Sequence, residues 1–141
     1  MAKKGSRSSE ADTAVEALLA VCESESRSEA ERADALESIP QVVFGIRKPE
    51  SRRRVAKVLK RLILSRRRNI RDKAIWCAYR LIDYAEPGLI KIPLTRVDVE
   101  GLVLQAKQRR MRPAARRRLT LYQQETRRRL KLSRRRGVTQ A

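Results

Sequence analysis

Apolar side chains recur along this chain at three- and four-residue spacings, the period of an amphipathic α-helix, and almost nowhere at the two-residue spacing of a strand. Ala11, Ala14, Val15, Leu18, Leu19 and Cys22 make the first stripe, entered through Ser9 with Asp12 three residues on, a capping-box spacing. The run SESRS interrupts it, and Ser28 with Glu31 starts a second, short helix that buries Ala30, Ala33 and Leu36 and stops before Ile39 and Pro40. Gln41 to Lys48 lies between two prolines and contains Gly45, so it reads as a connector with Val43, Phe44 and Ile46 buried.

Pro49 opens the next helix as its first residue, and Val55, Val58, Leu59, Leu62 and Ile63 line one face. After Arg66–Arg68, Asn69 is placed to cap a helix with a wide apolar arc: Ile70, Ala74, Cys77, Ala78, Leu81, Ile82 and Ala85, broadened by Ile75, Trp76 and Tyr79. That arc predicts the most buried helix of the chain, and Glu86-Pro87-Gly88 ends it. Leu89 to Leu94 holds Pro93 and reads as an extended linker or at most an edge strand. Thr95 and Asp98 cap a helix with Val99, Leu102, Val103 and Ala106 on one side. The last helix, from Pro113 to about Arg136, carries a thin stripe of Ala115, Leu119, Tyr122, Thr126 and Leu130; so narrow a stripe needs packing from another copy or from a polyanion. The fold class is therefore all-α: helix pairs with a helix-turn-helix-like corner at RRRN, a basic N-terminal arm and a long arginine-rich C-terminal helix. The divisions are a flexible basic arm at 1–9, an acidic helical segment at 10–40, a helical core at 41–112, and the C-terminal helix and tail at 113–141.

Charge changes the picture. The formal net charge is +19 over 141 residues, which favours nucleic acid or an anionic surface as partner. It is unevenly spread: residues 8–40 hold nine acids against Arg27 and Arg32, whereas residues 41–141 hold thirty bases against seven acids. An acidic segment of this kind docks on a basic face of a neighbouring copy, is held away from a polyanion, or is simply a solvated surface. The face of the Pro49 helix opposite its stripe presents Arg53, Arg54, Lys57, Lys60, Arg61 and Arg68, with no acid between Glu50 and Asp72, so its counter-charge is expected outside the chain.

There is no histidine, which removes the commonest general base and the His-based metal and nucleophile arrangements. No glycine-rich phosphate loop, carboxylate pair or metal-ligand spacing occurs, and Asp72, Asp83, Glu86, Asp98 and Glu100 read as caps and surface charges. An enzyme is not expected, nor a cofactor, a metal or a small-molecule substrate. Cys22 and Cys77 read as buried free thiols. No apolar run reaches the roughly 18 residues of a membrane span, and the start lacks the apolar core of a secretory signal. Location inside a virion or the host cytoplasm is expected.

What remains is phosphate chemistry. Guanidinium forks suit phosphate oxygens, and the candidate nucleic-acid-binding residues are Lys3, Lys4 and Arg7 in the arm; Arg52, Arg53, Arg54, Lys57, Lys60 and Arg61; Arg66, Arg67, Arg68 and Arg71 at the corner; Arg109, Arg110 and Arg112; and Arg116, Arg117, Arg118, Arg127, Arg128, Arg129, Arg134, Arg135 and Arg136. The second helix of the corner offers only Asn69, Arg71 and Lys73 before turning apolar, a poor set for base readout. Aromatic residues are few and mostly at core-type positions, which favours duplex over single strand.

In length, basic arm, helix-pair layout and arginine excess, the chain resembles the major capsid proteins of filamentous viruses of hyperthermophilic archaea. The resemblance implies a dimer, of two copies or of a copy and a related subunit, whose helices wrap linear double-stranded DNA in its A-form. Arg53, Lys57, Arg61, Arg116 and Arg127 would then track phosphates, with Val15, Leu18, Leu19 and Trp76 as core or dimer surface. RNA-coating proteins, ribosomal or chromosomal architectural proteins, and a helix-turn-helix transcriptional regulator stay open on the same residues.

Overall fold

The computed structural model describes residues 9–110 and 113–140, with side chains described for 9–110, 117, 118 and 120–132. Among these residues the protein is all-α: α1 (Glu10–Glu23), α2 (Glu29–Val42), a 3-10 turn (Val43–Gly45), α3 (Pro49–Ile63), α4 (Arg68–Ala85), α5 (Arg96–Arg110) and α6 (Pro113–Gln140). The chain divides into two units, Met1–Ala106 and Lys107–Ala141.

Within the first unit, α1 packs against α2 and α3, and α4 packs against α2 and α3. Short connections make α1–α2 and α3–α4 hairpins, and ion pairs report how one hairpin lies on the other. Glu16 meets Arg54 and Glu23 meets Arg61, each 38 residues away, so α1 and α3 run parallel without slippage over two turns. Glu29 meets Arg67 and Glu37 meets Lys73, so α2 and α4 run parallel as well. Two helix hairpins stacked in one register is the building rule of helical-repeat proteins.

Asp12 sets that register. It is the third residue of α1, and the Ser9 hydroxyl accepts from its backbone N–H while its carboxylate accepts from the Ser9 N–H at 2.8 Å. The same carboxylate accepts the N–H groups of Arg47 at 3.2 Å and Lys48 at 3.0 Å, the residues that lead into α3. One anion thus serves the amide-rich N-termini of two helices, where negative charge is favoured. Burial alone would raise its pKa, but these donors outweigh it and hold the carboxyl well below its usual range. Gly45 completes the junction: its carbonyl accepts the Ser9 hydroxyl at 2.8 Å, and a Cβ there would lie 2.7 Å from the Ala11 Cβ.

The predicted stripes of α1 to α4 form one core, except that Ala30 of α2 is exposed, and Tyr122 and Leu130 of the α6 stripe are exposed as well. Val15, Leu19 and Cys22 of α1, Leu36 and Ile39 of α2, the five apolar residues of α3 and most of the α4 arc are buried together. Ser28 caps α2, and Thr95 caps α5, as their spacings predict. The linker after α4 contains no strand; Gly88, at φ +86°, makes the left-handed turn that closes the helix, and Ile90 and Leu94 drop back into the core.

Four further expectations are corrected. α2 does not stop before Pro40 but runs through it to Val42: the one N–H bond that Pro40 cannot make is given up, and its ring is buried. Phe44 is 55% exposed, lying against Tyr84 with ring centroids 4.8 Å apart instead of entering the core. Asn69 does not cap α4. The helix begins two residues earlier, after Arg67, whose N–H is taken by the Ser65 hydroxyl, while the Asn69 amide donates to Glu29. Trp76 faces outward, 40% exposed.

Candidate nucleic-acid interface

The cations chosen from sequence fall into three groups once their partners are known. Those of the first group are matched within the chain. Arg54 bridges Glu16 and Glu23, Arg61 pairs with Glu23 at 2.9 Å, and Arg67 pairs with Glu29 at 3.0 Å. Lys60 and Arg68 make looser pairs with Asp98 and Asp72, at 3.7 and 3.6 Å. On the α3 face, Arg54 and Arg61 are thus answered by α1, while the acids of α2 pair instead with Arg67 and with Lys73 of α4. The acidic segment covers its own chain's basic helices, and a matching seven-residue spacing on both helices makes that possible, since seven residues are about two turns. These pairs are exposed, so each stabilises the fold by only about 0–1 kcal/mol and yields readily to a stronger anion.

Arg71 stands apart because it is 5% exposed, and it donates to the carbonyl of Ser65, two residues past the end of α3. Its Nε lies 3.9 Å from the Asp72 carboxylate, too far to be satisfied by it. Arg71 closes the corner and does not face a polymer, which removes it from the candidate set. Arg52 is also partly engaged, donating to the Ile46 carbonyl at 3.0 Å.

The remaining group is open. Lys57, Arg66 and Arg110 are exposed with no carboxylate partner among the described residues, and Arg53 has only Glu50 at 3.8 Å. The densest open set is on α6. Arg117, Arg118, Arg127, Arg128 and Lys131 are exposed and lack a carboxylate partner among the described residues, and only Arg129 is paired, with Glu125 at 2.7 Å. Tyr122 is 69% exposed beside them, and Leu121, Leu130 and Leu132 are uncovered too. Arg109 is exposed near the end of α5. Lys3, Lys4, Arg7 and Arg112 lie outside the described residues, as do the side chains of Arg116, Arg134, Arg135 and Arg136.

Sequence reasoning passed over Arg80 and Arg96. Arg96 is anchored by Glu86 and Asp83, which hold its pKa above the ordinary arginine range while the Arg96 contact lowers that of Glu86. Arg80 lies over the Trp76 ring, its Cζ 5.7 Å from the ring centre. Trp76 and Tyr122, both exposed, also undo the argument that the aromatic residues are committed to core.

The two cysteines are free and buried. Burial pushes the Cys22 thiol up to about 12, and that of Cys77 higher still. No cluster of metal-ligating side chains occurs among the described residues, and no helix among them is long and apolar enough to cross a membrane. Comparison with protein-family models, with curated proteins and with solved structures found no match.

Proposed function

We propose that the protein binds nucleic acid without reading its sequence, through arginine–phosphate contacts centred on α6, and packages long double-stranded DNA as a structural coat. The observation that carries this reading is the imbalance on α6, where five exposed cations have no carboxylate partner among the described residues and Glu125 answers one arginine. Like charges this dense oppose an isolated helix, and a phosphate backbone supplies the missing counter-charge. Within the same unit Arg110 adds to this set, and on the first unit Lys57 and Arg66 are separate open cations. In the packaging role the protein lies inside a virion or the host cytoplasm, beside a second copy or a related subunit.

A second reading has one observation in its favour. The acids of α1 and α2 that were candidates for docking on a neighbouring copy are largely spent within the chain. That favours a discrete architectural protein, of ribosomal or chromosomal type, over a polymerising coat.

Binding to long random-sequence duplex DNA and RNA over a salt series, with products viewed by negative-stain microscopy, separates the readings. Affinity that falls steeply with salt and ignores sequence supports phosphate contact. Regular filaments then mark a coat and isolated particles an architectural protein. Tight binding to one short site that persists at high salt overturns both and promotes the regulator.

A further inference from the structure

We propose that the cleft between α2 and α4 receives an unpaired nucleobase, supplied by a single-stranded stretch of nucleic acid and not by the coated duplex, stacked on Trp76. The proposal rests on the nucleic-acid reading above and adds a ligand class to it: a base whose pairing edge is free, flanked by phosphate.

The cleft follows from the register of the two hairpins. On α4, Asn69, Asp72, Lys73 and Trp76 stand at the spacings that share one helix face. Opposite them α2 presents Ala30 and Ala33, too small to fill the gap, and a cleft of about 430 Å³ is left. Sites for small planar ligands usually measure about 300–1,000 Å³. Trp76 is the single tryptophan of the chain; it is 40% exposed and lines this space.

The polar groups select the ligand. Glu29, the Asn69 amide and Asp72 line the cleft; Glu29 already accepts from Arg67 and Asn69 and Asp72 lies by Arg68, and it is the further lone pairs of these carboxylate and amide oxygens that accept from the exocyclic and ring N–H groups of a base edge. Lys73 Nζ and Arg80 Cζ lie 5.3 and 5.7 Å from the Trp76 ring centre. An ammonium ligand finds both cations in its way. A nucleotide does not: its phosphates draw Lys73 and Arg80 off the ring while its base takes their place. A duplex hides the edges that Glu29, Asn69 and Asp72 would meet, so the ligand is unpaired.

The sole tryptophan makes its own reporter. The full-length protein is titrated with a single-stranded homopolymer and with a fully paired duplex of equal length, following total binding by anisotropy of a labelled oligonucleotide and the cleft by Trp76 fluorescence. Both polymers are expected to bind, with only the single strand quenching Trp76. Trp76→Ala is expected to weaken single-strand binding by about 5- to 150-fold, the range for losing one base–aromatic stack, and to leave duplex binding unchanged. Ala33→Leu fills the cleft from the other wall with Trp76 intact, and is expected to abolish the quenching while circular dichroism shows the helices unchanged. A single strand that binds without quenching overturns the cleft and spares the phosphate reading. Failure of both polymers to bind overturns the two together. A nucleoside monophosphate that quenches more tightly than the oligomer overturns the polymer as source.

Discussion

Arg32 and Arg71 occupy the same place in successive hairpins: each is the fourth residue of its hairpin's second helix, each is buried, and each donates to a carbonyl at the end of the preceding helix or turn. Arg32 Nε reaches the Cys22 carbonyl at 2.8 Å, and Arg71 reaches that of Ser65 at 3.3 Å. A guanidinium there satisfies a carbonyl left over where a helix ends, so these two arginines act in folding. Arg71→Ala is expected to lower stability by about 1.5–3 kcal/mol, the usual worth of a hydrogen bond to a charged group, in urea denaturation. Nucleic-acid affinity measured on the folded protein is expected to stay the same, whereas Arg117→Gln with Arg128→Gln is expected to flatten the salt dependence by about two phosphate contacts with little change in stability.

Asp12 gives the fold its acid sensitivity. Its folded pKa lies below the unfolded value, so its contribution is complete above about pH 5 and drains away as pH falls through and below about 4. Asp12→Asn is expected to be less stable than the parent by about 1.5–3 kcal/mol at neutral pH. The difference should shrink steadily toward pH 2, and thermal denaturation across that range reads both. A gap that stays constant with pH would assign the loss to shape instead of charge.

The close approach of Gly45 and Ala11 carries a paired prediction. Gly45→Ala forces two methyl groups together at 2.7 Å and is expected to cost about 1–3 kcal/mol, the range for an overpacked site. Adding Ala11→Gly removes the clash and should recover part of that loss, limited by glycine's own cost in a helix of about 1 kcal/mol. Denaturation of the two single variants and the double closes the cycle.

Carboxylates on α1 restrain arginines on α3, so removing them should strengthen polymer binding. Glu16→Gln with Glu23→Gln frees Arg54 and Arg61. Duplex affinity is expected to rise and the salt slope to steepen by about 2, one for each arginine released to a phosphate. An unchanged slope would keep both arginines out of the interface.

Local signals were readable before the structure. The capping pairs Ser9–Asp12, Ser28–Glu31 and Thr95–Asp98 each span three residues, and their geometry follows from spacing alone. The α3 stripe was equally plain because its apolar arc is narrow. The wide arc of α4 hid the outward face of Trp76: when most of a helix is apolar, periodicity no longer marks the solvent side. Pairing between elements was hidden for a different reason. Nothing near Arg61 distinguishes it from Lys57, yet one meets Glu23 and the other is open, a difference set by hairpin register. Arg71 likewise reads in sequence as one more member of the Arg66–Arg71 cluster, and only the turn before it decides that it is buried.

The acidic hairpin precedes the basic one along the chain, and synthesis runs in that direction. Glu16, Glu23 and Glu29 therefore leave the ribosome ahead of Arg54, Arg61 and Arg67, and domains form from the N-terminal end as they emerge. Each of these arginines enters a compartment crowded with ribosomal RNA and meets a carboxylate already waiting in α1 or α2. The first hairpin thus carries the carboxylates that answer the second, whereas α6, whose sequence holds Glu125 as its one acid, is given no such partner ahead of it.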